Sequence, residues 1–308
     1  MTGPLFETMY ETFYNLAGPP FHNTPNSRFF FETEQHKEAL AKLEYTVRNR
    51  RGFALITGDI GSGKTTLSRT LISRLGQDAK TAVINNTRVS SQQLLELIAS
   101  EFGIENSVAG DKVKLLTSIK QFVTHQHTMD RAVVVIIDEG QCLTIDEFEE
   151  IRLLTNLETE AHKLVQLLIL GQPELRQTLR HPRLAPLIQR IVMYMHLKPM
   201  SFEDMTRYIA FRLVRASKGR PNVDFSREAL RMIYARSEGV PRVVNLVCDN
   251  ALLVGYSRNT QMVDSQVVDA AITQMLPNLD LESTDQFGEV GGPAADMLEE
   301  ELDHGRRL

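Results

Sequence analysis

"FALITGDIGSGKTTLSRTLISRL", residues 53–75, carries the reading that decides the fold. Its opening, "FALITG" (53–58), is a short apolar run of the kind that forms a buried strand. Its close, "KTTLSRTLISRL" (64–75), has the spacing of an amphipathic helix. Between them "GDIGSGKT", Gly58 to Thr65, fits G-x-x-x-x-G-K-[ST] in the strand–loop–helix context that gives the pattern its meaning. Glycines let the loop wrap so that backbone N–H groups point at phosphate oxygens, and the helix N-terminus adds positive potential. Lys64 reaches the β- and γ-phosphates, and the Thr65 hydroxyl is a Mg²⁺ ligand. Gly58, Asp59, Ile60, Gly61, Ser62, Gly63, Lys64, Thr65 and Thr66 are therefore expected to hold ATP with Mg²⁺.

A second stretch, "VVVIIDEGQ" (133–141), runs five apolar residues straight into Asp138 and Glu139. Carboxylates are almost never fully buried unless paired, so a cation is expected at the strand end. In P-loop NTPases a second strand, taken here to lie beside the phosphate-loop strand, ends in an Asp that holds the Mg²⁺. Asp138 fits that role, and Glu139 fits a general base for the attacking water. The alternative, a carboxylate pair capping the next helix, is weakened because Asp146 offers a better cap.

Working outward, apolar runs alternate with helical stretches. "TAVINN" (81–86), "VQLLILG" (165–171) and "VMYMHL" (192–197) read as further strands. "TEQHKEALAKLEYTVRNR" starts at a cap-like Thr33; "SSQQLLELIASEFG" has Ser90 or Ser91 as N-cap and Gly103 as C-cap; "DKVKLLTSIKQFVTH" follows. The expected class is α/β: a P-loop NTPase parallel sheet with helices on both faces. After residue 200 helices follow one another with no strand between them, which predicts a small all-α domain. The domain reading is an aromatic N-terminal arm over 1–35, an ATPase domain over 36–199, a helical lid over 200–276, and an acidic tail over 277–308 with a short helix near its end.

The 308 residues carry a net charge of -5, which gives no global pull toward nucleic acid. Cys142 and Cys248 have no metal-like spacing and read as reduced thiols. "MTGPLFETMYETFYNL" lacks the apolar run of a signal peptide, and no stretch approaches the roughly 18 apolar residues of a membrane span. A cytoplasmic protein is expected. "HQH" places His125 and His127 two apart on a helix, where side chains do not face each other, so no metal site is read there. "RNRR" (Arg48, Arg50, Arg51) is either a solvated helix end or a contact for DNA phosphates.

"GDIGSGKTT", "IIDEGQCL", "EIRLLTNLE", "LLILGQPEL", "LIQRI" and "GVPRVVN", in this order, resemble the AAA+ ATPases of the general secretion pathway protein A family, and in part the transposition AAA+ ATPases. "FYNLAGPPFHNTPNSRFFF" resembles that family's N-terminal signature. The family usually has Ala where this chain has Gly140. The resemblance implies that Gln172 is sensor 1, placed between the phosphate strand and the DE strand to orient water. Arg190 of "LIQRI" matches the arginine finger that reaches a neighbour's γ-phosphate, with Arg180 and Arg183 as rivals. Arg242 of "GVPR" matches sensor 2, touching the nucleotide from the lid. Asn85 or Asn86 is a candidate to hold Glu139 inactive until a partner binds.

Three functions stay open at this point. The first is an ATP hydrolase that assembles through its own copies into a ring or filament and remodels an unknown protein partner, of secretion, pilus or polysaccharide-export type. The second is a transposition-type regulator oligomerising on DNA. The third is a nucleotide-gated scaffold with negligible turnover.

Overall fold

The structure, a computed structural model, describes residues 9–23, 27–85, 87, 89–104 and 111–275. The expected acidic tail and its short helix, and Asn86, lie outside the described residues.

Five strands, β1 Phe53–Gly58, β2 Ala79–Ile84, β3 Ala132–Ile137, β4 Val165–Gly171 and β5 Ile191–Leu197, form one sheet in the order β2-β3-β4-β1-β5. Every pairing is parallel. The unbroken apolar runs have the reason anticipated: β1 and β4 are buried along their whole length, because helices cover both faces. Alternation sorts the side chains. Val134, Ile136, Leu168 and Leu170 pack against α2 (Glu34–Arg48) and α3 (Lys64–Leu75). Val133, Val135, Leu167 and Ile169 pack against α4 (Ser91–Glu101), α5 (Lys112–Thr128) and α6 (Ile145–Thr155).

The sheet order corrects one expectation. β3 does not lie beside β1; β4 separates them, pairing with β1 on one side and β3 on the other. Both carboxylates remain within reach of the phosphate loop because α3 packs across β1, β4 and β2. β2 also begins earlier than expected, at Ala79 rather than 81, because the 3-10 turn Gly76–Asp78 leads directly into it. Its last pairing is Ile84 with Ile137, which leaves Asn85 beyond the strand.

Helix ends follow cap chemistry. Thr33 accepts from the His36 N–H, and Ser90 forms a reciprocal capping box with Gln93. Gly103, just past the C-cap Phe102, has φ +73°. The cap of α6 is Thr144, boxed with Glu147, and not Asp146. Asp146 sits instead in the first turn, where its charge still favours the helix dipole. Short helices α7 (Leu175–Leu179) and α8 (Ala185–Ile188) connect β4 to β5.

Helices α9 (Phe202–Ala216), α10 (Arg227–Ser237), α11 (Pro241–Ser257) and α12 (Ser265–Met275) enclose a second core. Two strands do occur here, contrary to expectation: β6 (Asp224–Phe225) and β7 (Met262–Val263), two residues each, pair in parallel. Each is the extended lead-in to a helix, α10 or α12, so their adjacency follows from the packing of those helices.

The arm is fastened to this second core. Short α1 (Met9–Phe13) leads into Tyr14, Leu16 and Phe21, all buried among the helices of that core. Tyr10 donates to Asp249, Tyr14 donates to the Leu252 carbonyl, and the Ala17 N–H bonds the Ala216 carbonyl. Further along, Phe30 packs on the sheet-side cluster of α2 and α3.

Candidate nucleotide site

The loop between β1 and α3 turns on glycines in the left-handed region: Gly61 at φ +81° and Gly63 at φ +97°, the latter capping α3. At Gly61 a Cβ would stand 2.4 Å from the Cβ of Arg242, so glycine is also what lets that α11 arginine lie against the loop. Lys64 is buried, and its ammonium donates to the Gly58 carbonyl at 2.6 Å and the Asp59 carbonyl at 2.9 Å. Burial pulls its pKa below the ordinary ammonium value, a pull opposed by the carboxylates of Glu139, Asp138 and Asp59.

The strand-end pair separates by environment. Asp138 is buried; it takes the Thr65 hydroxyl at 2.6 Å on one oxygen and the Glu139 N–H at 3.0 Å on the other. Glu139 is exposed, with φ +56° and ψ +39°, the only left-handed residue of the strand end and its turn. A carboxylate and a hydroxyl in contact at a helix start are a hard-oxygen donor set suited to Mg²⁺, so the residues present fit that ion.

These groups share one cavity of about 580 Å³, which includes Gly61, Lys64, Thr65, Thr66, Glu139, Gln172 and Arg242 in its lining. Gln172 stands 3.5 Å from Glu139 through its side-chain amide. The cavity continues past the loop to Phe29, Phe30 and Phe31 and to Tyr208 and Arg212 of α9 and Asn245 of α11.

The other arginine candidates lie elsewhere. Arg190 immediately precedes β5, at the sheet edge opposite the phosphate loop, and donates to the Thr155 hydroxyl and the Asn156 side chain. Those acceptors are neutral. Arg183 is exposed and paired with Asp146 at 2.9 Å, and Arg180 is exposed. Asn85 is exposed; the group bonded to Glu139 at 2.6 Å is Gln141. The "RNRR" cations are largely engaged: Arg48 with Asp78, Arg50 with Asp130 and His127, and Arg51 over the Tyr45 ring.

The sequence reading missed three residues at the site: Arg212 and His36, which line the cavity, and Gln141, which bonds Glu139. Gln141 gave no signal beyond following the carboxylates. Arg212, 6 % exposed, bonds the carbonyls of Pro20 and His22 and the Tyr208 hydroxyl, tying the arm to α9 where both line the cavity. His36 is buried with its Nε2 unpartnered, and burial lowers its pKa. What each meets across the site, Gln172 for Gln141, the arm for Arg212 and the loop for His36, is set by long-range packing, which no local pattern encodes.

Comparison with known proteins bears on the family and the fold. Residues 47–179 match a family model described as an AAA domain. General secretion pathway protein A of Aeromonas hydrophila is 38 % identical over 255 residues, covering 83 % of this chain and 46 % of that protein. The chain thus spans about half the length of the curated relative it matches. The Aeropyrum pernix ORC2 protein, in ADPNP–ADP complexes, superposes with a TM-score of 0.63 at 17 % identity, over 82 % of this chain and 72 % of that one. Drosophila ORC bound to DNA gives 0.61 at 15 % identity, over 90 % and 70 %. The Thermotoga maritima RuvB Holliday junction branch migration motor gives 0.54 at 19 % identity, over 90 % and 78 %. At these identities the structural likeness speaks for the fold. The chain is an AAA+ P-loop protein related to general secretion pathway protein A.

Proposed function

We propose that this chain is an ATP hydrolase whose site is completed by a second copy, and that the ATP cycle drives assembly or remodelling of a partner complex. The observation that carries this reading is the convergence of Lys64, Thr65 and Glu139 on one cavity, with Asp138 bonded to Thr65 just behind it and Arg242 against Gly61. Lys64, now bonded to loop carbonyls, exchanges them for phosphate oxygens. Thr65 and Asp138 would hold Mg²⁺, which neutralises charge developing on the phosphates. Glu139 takes the proton of the attacking water, and Gln172 orients that water. Arg242 couples the lid to the nucleotide.

Arg190 supports the need for a second copy. It points away from its own cavity and meets only neutral acceptors, so its charge is left for an anion brought by a neighbour. Its planar fork suits a γ-phosphate. A head-to-tail contact of this kind closes into a ring, such as a hexamer, or continues as a filament. The relative's name favours a secretion-type partner. The engaged "RNRR" cations give little support to the DNA-assembled alternative.

The test is Glu139→Gln. It keeps ATP binding and loses steady-state hydrolysis by at least about 100-fold, the range for removing a general base. Native mass spectrometry of the ATP-loaded variant shows oligomers. Near-normal hydrolysis by Glu139→Gln refutes the base, and a strictly monomeric ATP-bound species refutes the shared site. Wild-type protein that binds ATP without turnover supports the scaffold reading, and ATP-dependent, salt-sensitive DNA binding supports the transposition-type one.

A further inference from the structure

We propose that Gln141 is a positioning residue for the hydrolytic step: it sets Glu139 and Gln172 in a single frame around the attacking water. This rests on the reading of Glu139 as the general base. The Gln141 side-chain amide uses both its ends. Its Nε2 donates to Glu139 Oε2 at 2.6 Å, and its Oε1 accepts the backbone N–H of Gln172 at 2.9 Å. The backbone donor fixes which end of the amide faces the carboxylate, since only an oxygen can accept that N–H. Gln172 closes the triangle with its own Nε2, 3.5 Å from the same Glu139 oxygen. Both amides engage Oε2, which leaves Oε1 of an otherwise exposed, three-rotor side chain to take the water.

The backbone is shaped for this strut. Glu139 sits in the left-handed region, an uncommon conformation for a non-glycine residue and one that persists where surroundings enforce it. Gly140, buried next to it, presses on β4: a Cβ there would stand 2.5 Å from Ile169 Cγ2 and 3.2 Å from the Leu170 carbonyl. That contact brings the turn Gly140–Cys142 close enough for one glutamine to bridge the ends of β3 and β4. At Gly171 a Cβ would meet Gln141 Oε1 at 3.2 Å, so the bridge is fitted on its far side too. The family's usual alanine after the acidic pair does not fit this turn as it stands, which gives Gly140 a physical reason.

A group that acts only by aiming another loses its effect when that other is gone. The experiment is a cycle in the full chain: wild type, Gln141→Ala, Glu139→Gln and the double variant, with ATP affinity, KM, kcat and single-turnover rates. Gln141→Ala lowers kcat about 10- to 100-fold, the scale of a misplaced base, with KM and ATP affinity within about 2-fold of wild type. Gln141→Glu keeps the size but not the N–H, loses as much, and covers the case in which the alanine variant does not fold. In the Glu139→Gln background Gln141→Ala costs nothing further. A kcat within about 2-fold of wild type in Gln141→Ala and Gln141→Glu overturns the proposal, and so does an equal loss in both backgrounds, which marks a structural role. Normal hydrolysis by Glu139→Gln overturns the base and this proposal together. A dead Glu139→Gln beside an active Gln141→Ala overturns this proposal alone.

Discussion

The two ends of the parallel sheet differ in kind. At the C-terminal ends of β1 and β3 lie the glycine loop and the exposed Glu139, which open on one cavity, and the buried Asp138 behind them, bonded to Thr65. At the N-terminal ends lie Arg50, Lys163 and Arg190, before β1, β4 and β5. The first end gathers backbone donors, an ammonium and carboxylates around one opening. The second has cations that mostly meet acids, Arg50 with Asp130 and Lys163 with Glu158, except for Arg190. In a parallel sheet every strand runs the same way, so the groups that follow strands and those that precede them are held a full strand length apart. A residue at the far end serves a nucleotide only if that nucleotide belongs to another copy.

The hardest blow to this contrast is Arg190→Ala. It should lower hydrolysis by about 10³-fold, the lower range for an arginine finger, while each subunit still binds ATP. Arg183→Ala, which removes only an exposed pair with Asp146, should leave turnover unchanged. Mixing Arg190→Ala with Glu139→Gln protein should partly restore activity, because some interfaces then join an intact Glu139 to an intact Arg190. Specific activity that rises with protein concentration checks the same point. No complementation and a flat concentration profile would leave Arg190 a surface residue.

At the other end, Lys64→Ala should weaken ATP binding by about 100-fold, from the loss of charge-assisted contacts worth roughly 1.5–3 kcal/mol each. Calorimetry with Mg–ATP measures it, and unchanged affinity removes the phosphate assignment.

The smallest effect concerns His36, whose ring stands next to the loop at Gly63. Burial holds its folded-state pKa below the ordinary value of 6.5. Above pH 6.5 the ring is neutral whether folded or unfolded. Below it the unfolded chain takes up a proton that the folded chain refuses, so stability falls as pH drops from about 6.5. His36→Gln should flatten that part of the Tm-against-pH curve. An unchanged slope means His36 does not contribute.

Much of the cavity was legible because its parts are local. Strand, loop and helix follow one another from Phe53 to Leu75, and the carboxylates follow their strand directly. Cap chemistry was legible for the same reason at Thr33 and Ser90, and it failed at Asp146, where the boxed Thr144 competes better. The relation of β3 to β1 was misread, since the order of strands in a sheet depends on crossovers and not on adjacency in the chain.

By itself the sequence determined the class of the fold and singled out the glycine loop and the strand-end carboxylates that the structure brings together. Periodicity, glycine placement and charge at a strand end act within a few residues, so they can be read there. Tertiary structure alone decided that the arm belongs to the C-terminal helical core through Tyr10, Tyr14 and Arg212. It also decided that Gln141, not Asn85, meets Glu139, and that Arg190 faces away from its own cavity. Those outcomes depend on which distant surfaces bury one another, a property of the whole chain rather than of any segment.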